Sequence, residues 1–168
     1  MVTSLNKLKF QQTIKKEISI SGVGLHTGLK VNLRLKPAPF NYGIIFKRVD
    51  LKDMPEIEAS VDNVIDVTRG TSIGKNKIEV HTIEHLLAAI NGLNIDNILI
   101  EIDSIELPIL DGSAKPYVDL FLKVGFKELD AHRLELVIDE TITYSNSKSG
   151  VDIHIVPSDK FRITFMMD

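Results

Sequence analysis

The spacing of apolar residues changes twice along this chain, and the changes divide it. Over residues 14–20, Ile14, Ile18 and Ile20 stand at even spacing around Lys15, Lys16, Glu17 and Ser19, the pattern of a half-buried strand. Gly22, Gly24 and Gly28 interrupt that pattern around His26. Val31, Leu33 and Leu35 then alternate with Asn32, Arg34 and Lys36, which predicts a second strand closed by Pro37 and Pro39. Residues 44–46 predict a short third strand. Between residues 55 and 80, short β-like pieces (Ile57-Glu58-Ala59, residues 64–67 and residues 78–80) predict a small β insert joined by polar turns.

At Thr82 the period becomes helical. Ile83, Leu86, Leu87 and Ile90 recur at i, i+3, i+4 and i+7, with Thr82 as the expected N-cap and Gly92 or Asn94 as the stop. Ile98-Leu99-Ile100-Glu101-Ile102 is nearly continuous in apolar residues and predicts a central strand. After the turn Asp111-Gly112-Ser113, helical spacing returns at Ala114, Tyr117, Val118 and Phe121, with Pro116 in the first turn. The texture changes again near residues 125–130. Residues 134–142 and 151–156 predict strands around a turn-rich stretch, and Phe161, Ile163, Phe165 and Met167 predict a last one. No helix follows to cover it, so the chain is expected to end inside a second domain. The expected fold is α+β: a two-layer domain of mixed or antiparallel sheet with two helices over residues 1–127, then the opening strands of a second, similar domain over residues 128–168.

On a helical wheel the aliphatic residues of the first helix occupy one side, while His85, Ala88, Ala89 and Gly92 form a small, almost uncharged stripe opposite. A solvated face carries Lys and Glu. The helix is therefore expected to be buried on both sides, with His85 on the small face and Glu84 at its edge, in a cleft between two units. Two plainer readings stay open from the wheel alone: an interface histidine satisfied by hydrogen bonds, and a carboxylate that favours a helix N-terminus. His81-Thr82-Ile83-Glu84-His85 also fits the inverted zinc-protease pattern H-x-x-E-H, but that chemistry needs both histidines on one helical face. With Thr82 as cap, His81 falls outside the helix.

Composition narrows the class. Of 168 residues, 43% are apolar and 26% charged, and the net charge of -3 gives no electrostatic reason to expect nucleic acid as a partner. No apolar run approaches the roughly 18 residues of a membrane span. Residues 1–12 lack the apolar core of a signal peptide. There is no cysteine, which excludes disulfides and thiolate metal sites. A cytoplasmic protein is expected.

Three blocks carry a resemblance. Gly22-Val23-Gly24-Leu25-His26-Thr27-Gly28 is followed by Thr82-Ile83-Glu84-His85-Leu86-Leu87-Ala88-Ala89 with Gly92-Leu93-Asn94-Ile95-Asp96-Asn97, and then by Leu107-Pro108-Ile109-Leu110-Asp111-Gly112-Ser113-Ala114. In this order and spacing they resemble the N-terminal part of the zinc-dependent UDP-3-O-acyl-N-acetylglucosamine deacetylases of Gram-negative bacteria, which act in lipid A biosynthesis. The resemblance implies two similar α+β domains whose helices lie between two sheets. It implies that His85 is one Zn2+ ligand and that Glu84 is the general base of an amide hydrolysis. The other ligands, a histidine and an aspartate in a His-Lys-x-x-x-Asp-type stretch of the second domain, have no counterpart in this sequence. The implied substrate is UDP-linked acylated N-acetylglucosamine. The implied partner is the missing second domain or, failing that, a self-association partner.

Other residues are more evenly balanced. His26 could reach substrate from the domain edge, or its glycines could simply permit a tight turn. Thr68-Arg69-Gly70-Thr71-Ser72 corresponds to the insert bordering the family's site, so Thr68 and Arg69 are candidate substrate contacts, with Arg69 able to meet a phosphate. Asp111 and Ser113 suit a turn and a helix cap. Nothing near His132 or His154 makes either a ligand. The rival to an enzyme fragment is a non-catalytic binding or regulatory module that keeps the fold.

Overall fold

In the computed structural model, which describes residues 9–166, the first expected strand is two strands, β1 (Phe10–Ile14) and β2 (Ile18–Val23). Burial explains the break. Gln11, Thr13 and Ile14 are buried, whereas Lys15 and Lys16 are exposed, so the chain bends outward between them. The two strands then serve different sheets.

The alternating stretch forms β3 (Lys30–Pro37), with Val31, Leu33 and Leu35 inside and Asn32 and Arg34 outside. The next strands are β4 (Ile44–Arg48) and β5 (Glu56–Glu58), then β6 (Val64–Asp66), β7 (Ser72–Lys75) and β8 (Ile78–Val80). Helix α1 (Glu84–Gly92) leads to β9 (Ile98–Ile102), and α2 (Lys115–Val124) to β10 (Phe126–His132). Five strands form one sheet in the order β2-β3-β9-β4-β5. β9 is central, antiparallel to β3 with Leu35 opposite Ile100, and parallel to β4 with Phe46 opposite Ile100. Its inward residues Ile98, Ile100 and Ile102 are fully buried. Leu86 and Ile90 of α1 and Tyr117 and Phe121 of α2 join the same core, and the two helices pack against each other. The architecture is α+β with mixed and antiparallel sheets, as expected.

The insert is the antiparallel three-stranded sheet β6-β7-β8. Its middle strand, β7, was not anticipated, because Ser72 and Gly74 blur the alternation. β5, assigned to the insert from sequence, pairs instead with β4 in the main sheet, Phe46 opposite Ile57.

Contacts divide the chain into Met1–Arg133 and Leu134–Asp168. The first unit runs past residue 127 because β10 pairs antiparallel with β1, Ile14 opposite Phe126. Arg133 ties off this end: its Nε lies 2.7 Å from Asp96 Oδ1, and Asp96 Oδ2 accepts the Gln12 N–H. In the second unit, β11 (Ile142–Asn146) and β12 (Val151–Ile155) make an antiparallel hairpin. The strands expected over residues 134–142 and 161–167 are not seen among the described residues, apart from Ile142 itself, because those stretches find no backbone partner; Met167 lies outside the described residues. Among the described residues, no helix is long and apolar enough to cross a membrane.

Candidate active site

Helix α1 starts later than its sequence suggests. Ile83 is the N-cap and Leu87 N–H donates to Ile83 O at 3.0 Å. Thr82 is not the cap. Its backbone is left-handed, φ 58°, and its hydroxyl donates to Glu106 Oε1 at 3.1 Å. His81 lies outside the helix, in a parallel bridge to Glu106, with its Nε2 2.9 Å from Glu79 Oε2. The two histidines therefore do not share a helical face, which removes the geometry that H-x-x-E-H chemistry needs.

Glu84 and His85 occupy the first turn of α1, both half-buried. The Thr71 N–H donates to Glu84 Oε2 at 2.8 Å, and Ile83 N–H donates to Thr71 O at 3.2 Å, so the loop before β7 is latched to the helix start in both directions. A Cβ on Gly70 would lie 3.1 Å from Glu84 Oε1, so a side chain there would crowd that oxygen. Glu84 Oε1 stands 3.7 Å from His85 Nε2, too far for a direct hydrogen bond. One carboxylate oxygen is thus held by the loop while the other faces the imidazole. Among the described residues, no three His, Cys, Asp or Glu side chains form a group that could hold a metal ion. His85 supplies one nitrogen ligand of the kind zinc takes, and a complete site needs more.

The small stripe of α1 is only partly as expected. Ala89 turns into the core, but Ala88 and Gly92 are exposed beside the half-buried His85. The buried arc centres on Leu86, between Ile90 and Ala89, and leaves Leu87 at its edge.

A cleft of about 340 Å³ opens beside this helix start, lined among others by His26, Thr68, Arg69, Ser72, His81 and Thr82. It gathers the three candidate substrate residues His26, Thr68 and Arg69 in one place. Glu84 is tied to that lining by the N–H of Thr71, which lies between the lining residues Gly70 and Ser72. Thr68 is partly committed: its N–H and hydroxyl both donate to Asp66 Oδ1, at 3.0 and 2.6 Å, which holds the Asp66 carboxyl below its ordinary value. Asp111 accepts from the Ser113 N–H and hydroxyl, as a turn residue does, and Ser113 Oγ accepts the Lys115 N–H at the start of α2.

Sequence reasoning missed Glu106. It is 1% exposed, and its carboxylate accepts the His26 N–H at 3.0 Å, the Thr27 N–H at 2.8 Å and the Thr82 hydroxyl. Burial alone would raise its pKa, yet these donors together hold it below the ordinary value. Each glycine around His26 has its own reason, and that of Gly24 is this carboxylate. A Cβ at Gly24 would collide with Glu106 Oε2 and with Thr27 Oγ1, and one at Gly22 would come within 2.7 Å of Pro108 Cβ. Only Gly28 is needed for its backbone, at φ 66°. The available signal was a lone acid in the apolar run Ile105-Glu106-Leu107-Pro108, since a buried charge must be paired.

An α+β unit with a Glu-His pair at a helix start beside a loop-lined cleft is the class that fold and site define. The family model for LpxC, UDP-3-O-acyl N-acetylglycosamine deacetylase, matches residues 11–168. The chain is 43% identical over 160 residues to a protein of Shewanella woodyi named UDP-3-O-acyl-N-acetylglucosamine deacetylase, covering 95% of this chain and 52% of that protein. It is 50% identical over 158 residues to a Chlorobaculum tepidum protein named bifunctional enzyme LpxC/FabZ, covering 94% of this chain and 34% of that protein. The chain belongs to the UDP-3-O-acyl N-acetylglycosamine deacetylase family. It spans about half the length of the deacetylases it matches, and a third of the bifunctional protein.

Proposed function

We propose that this chain supplies one side of the active site of a zinc-dependent deacetylase that removes the N-acetyl group from UDP-linked, acylated N-acetylglucosamine. Family membership supports the substrate class, and the divided Glu84 carboxylate supports the chemistry. Amide hydrolysis needs a water made nucleophilic and a group to accept its proton. Glu84 Oε1 is that acceptor: the Thr71 N–H aims the carboxylate and leaves the oxygen nearest His85 free to work. His85 is one metal ligand, and the others come from outside the described residues, on a second domain or partner that covers the open face at Ala88 and Gly92. Bound there, zinc would polarise the acetyl carbonyl and lower the pKa of a water towards ~7. His26 and Arg69 hold the sugar nucleotide in the cleft, with Arg69 suited to a phosphate oxygen.

His85 is one ligand of the several that a catalytic zinc takes, and among the described residues no three His, Cys, Asp or Glu side chains are grouped around it, so a second reading for the chain by itself is a binding module without turnover. Both are tested with one hybrid, in which this chain replaces the matching segment of the Shewanella woodyi deacetylase. The hybrid should release acetate in a chelator-sensitive way, and the 168-residue chain with added zinc should not. Glu84→Gln in the hybrid should keep its zinc while the rate falls roughly 10²–10⁴-fold, the usual worth of a positioned base. His85→Ala should lose the metal itself. If Glu84→Gln loses zinc as completely as His85→Ala, the base assignment is wrong.

A further inference from the structure

One buried carboxylate lies outside the lining of the cleft yet joins the two segments that carry the site. Glu106 lies after β9, and its two oxygens reach in two directions. Towards the turn between β2 and β3, Oε1 and Oε2 accept the His26 N–H at 3.0 and 3.2 Å, and Oε2 accepts the Thr27 N–H at 2.8 Å. Towards the start of α1, Oε1 accepts the Thr82 hydroxyl. The backbone on either side is fixed as well. His81 N–H donates to Ile105 O at 2.9 Å and Leu107 N–H donates to His81 O at 3.1 Å. Thr82 pays for this arrangement with a left-handed backbone, uncommon for a β-branched residue and held only where neighbours over-determine it. Gly24 completes the fit by having no side chain to displace the carboxylate. His26 and Thr82 both line the cleft, and Glu84 follows Thr82 by two residues.

We propose that Glu106 is a positioning residue: its carboxylate locks the His26 turn to Thr82, and so sets the His26 ring and the Glu84–His85 pair in one fixed relation at the cleft. Its kinetic consequence rests on the deacetylase reading; its structural consequence does not. A carboxylate suits the task better than an amide because every group around it is a donor. Glu106→Gln turns one acceptor into a donor facing backbone N–H groups.

The test separates the two readings. In the 168-residue chain, Glu106→Gln should speed hydrogen exchange at the His26 and Thr27 amides by roughly 10–100-fold, the worth of charge-assisted bonds, and leave the Ile100 amide unchanged. No change at His26 and Thr27, or equal acceleration through the core, overturns the proposal. In the hybrid, Thr82→Val removes only the hydroxyl that reaches Glu106. It should lower kcat by roughly 10–100-fold, as loss of an outer partner of a site does. Thr82→Ser, which keeps the hydroxyl and loses the methyl, should restore most of that rate. Full activity in Thr82→Val, or equal losses in Val and Ser, also overturns it. Thr82→Val further serves if Glu106→Gln does not fold. An unsubstituted hybrid without activity counts against the deacetylase reading alone, and Glu106 is then decided by the exchange pattern.

Discussion

Arg48 and Glu106 are charged side chains almost wholly withdrawn from water, and each is matched group for group. Arg48 Nε and Nη2 donate to the two oxygens of Asp50 at 2.8 and 2.7 Å, and Nη1 donates to Glu79 O at 2.7 Å. The Arg48 bonds hold the Asp50 carboxyl below its ordinary value, as the His26, Thr27 and Thr82 donors do for Glu106 against its burial. A depressed native pKa means that the unfolded chain binds protons more readily. The stabilisation is therefore complete above the ordinary carboxylate range of about 4 and is lost as the pH falls through the native values. The melting temperature should drop on acidification below about pH 4.5, and the drop should be shallower in Glu106→Gln. Parallel curves for the two proteins would remove Glu106 from the linkage. Tyr117 gives a simpler case. Its buried hydroxyl donates to Pro108 O at 2.8 Å, so Tyr117→Phe leaves a carbonyl unpaired and should cost about 1–2 kcal/mol in urea unfolding. The inward placement of Tyr117 was legible from helical spacing. Its partner was not, because nothing in the spacing says which carbonyl the hydroxyl will meet.

Among the elements, those whose apolar residues alternate or run nearly unbroken were readable, and those that bury polar groups were not. β3 and β9 fall in the first class. β1 falls in the second: Gln11 and Thr13 point inward with Ile14, so its pattern does not alternate. Gln11 is satisfied by Asn41 and Asn97, and Thr13 Oγ1 accepts the Ala38 N–H, partners brought together only by the fold. The same limit applied to the site. Glu84 and His85 stood out as polar residues on an amphipathic helix, whereas Glu106 acts through bonds to residues 24 to 80 positions away. Helix α1 was recognised but rotated, and two substitutions test the corrected face. Ala89→Arg, at a site 1% exposed, should unfold the chain or destabilise it by several kcal/mol, roughly the cost of a buried unpaired charge. Ala88→Arg should change the stability of the chain by no more than about 0.5 kcal/mol, yet abolish acetate release by the hybrid. The end of α2 carries a second test. Gly125 sits at φ 72°, ψ -179°, a region essentially closed to other residues, so Gly125→Ala should destabilise the unit by about 1–3 kcal/mol in the same urea assay.

For the whole molecule, the division after Arg133 separates two levels of stability. From Leu134 to Met166 no described residue is buried, and only Ile138 and Asn146 are half-buried. With so little apolar surface withdrawn, the β11–β12 hairpin should exchange its amide protons far faster than β3 or β9. Proteolysis should cut first within residues 134–141, leaving a resistant product that ends near Arg133. Equal protection in β9 and β12 would show that the two units are equally stable.

The β1–β10 pair has a consequence for how such a chain is born. A ribosome delivers residues in order, and Gln11, whose side-chain amide donates to the His132 carbonyl, waits 121 residues for that partner. Contacts of such long range are also the slowest to form. Until translation passes His132, Ile14 lacks the strand that sets Phe126 opposite it, and the nascent core is one strand short. A pause upstream of that codon leaves an open edge on the emerging chain, of the sort that chaperones hold and neighbouring nascent chains can pair with.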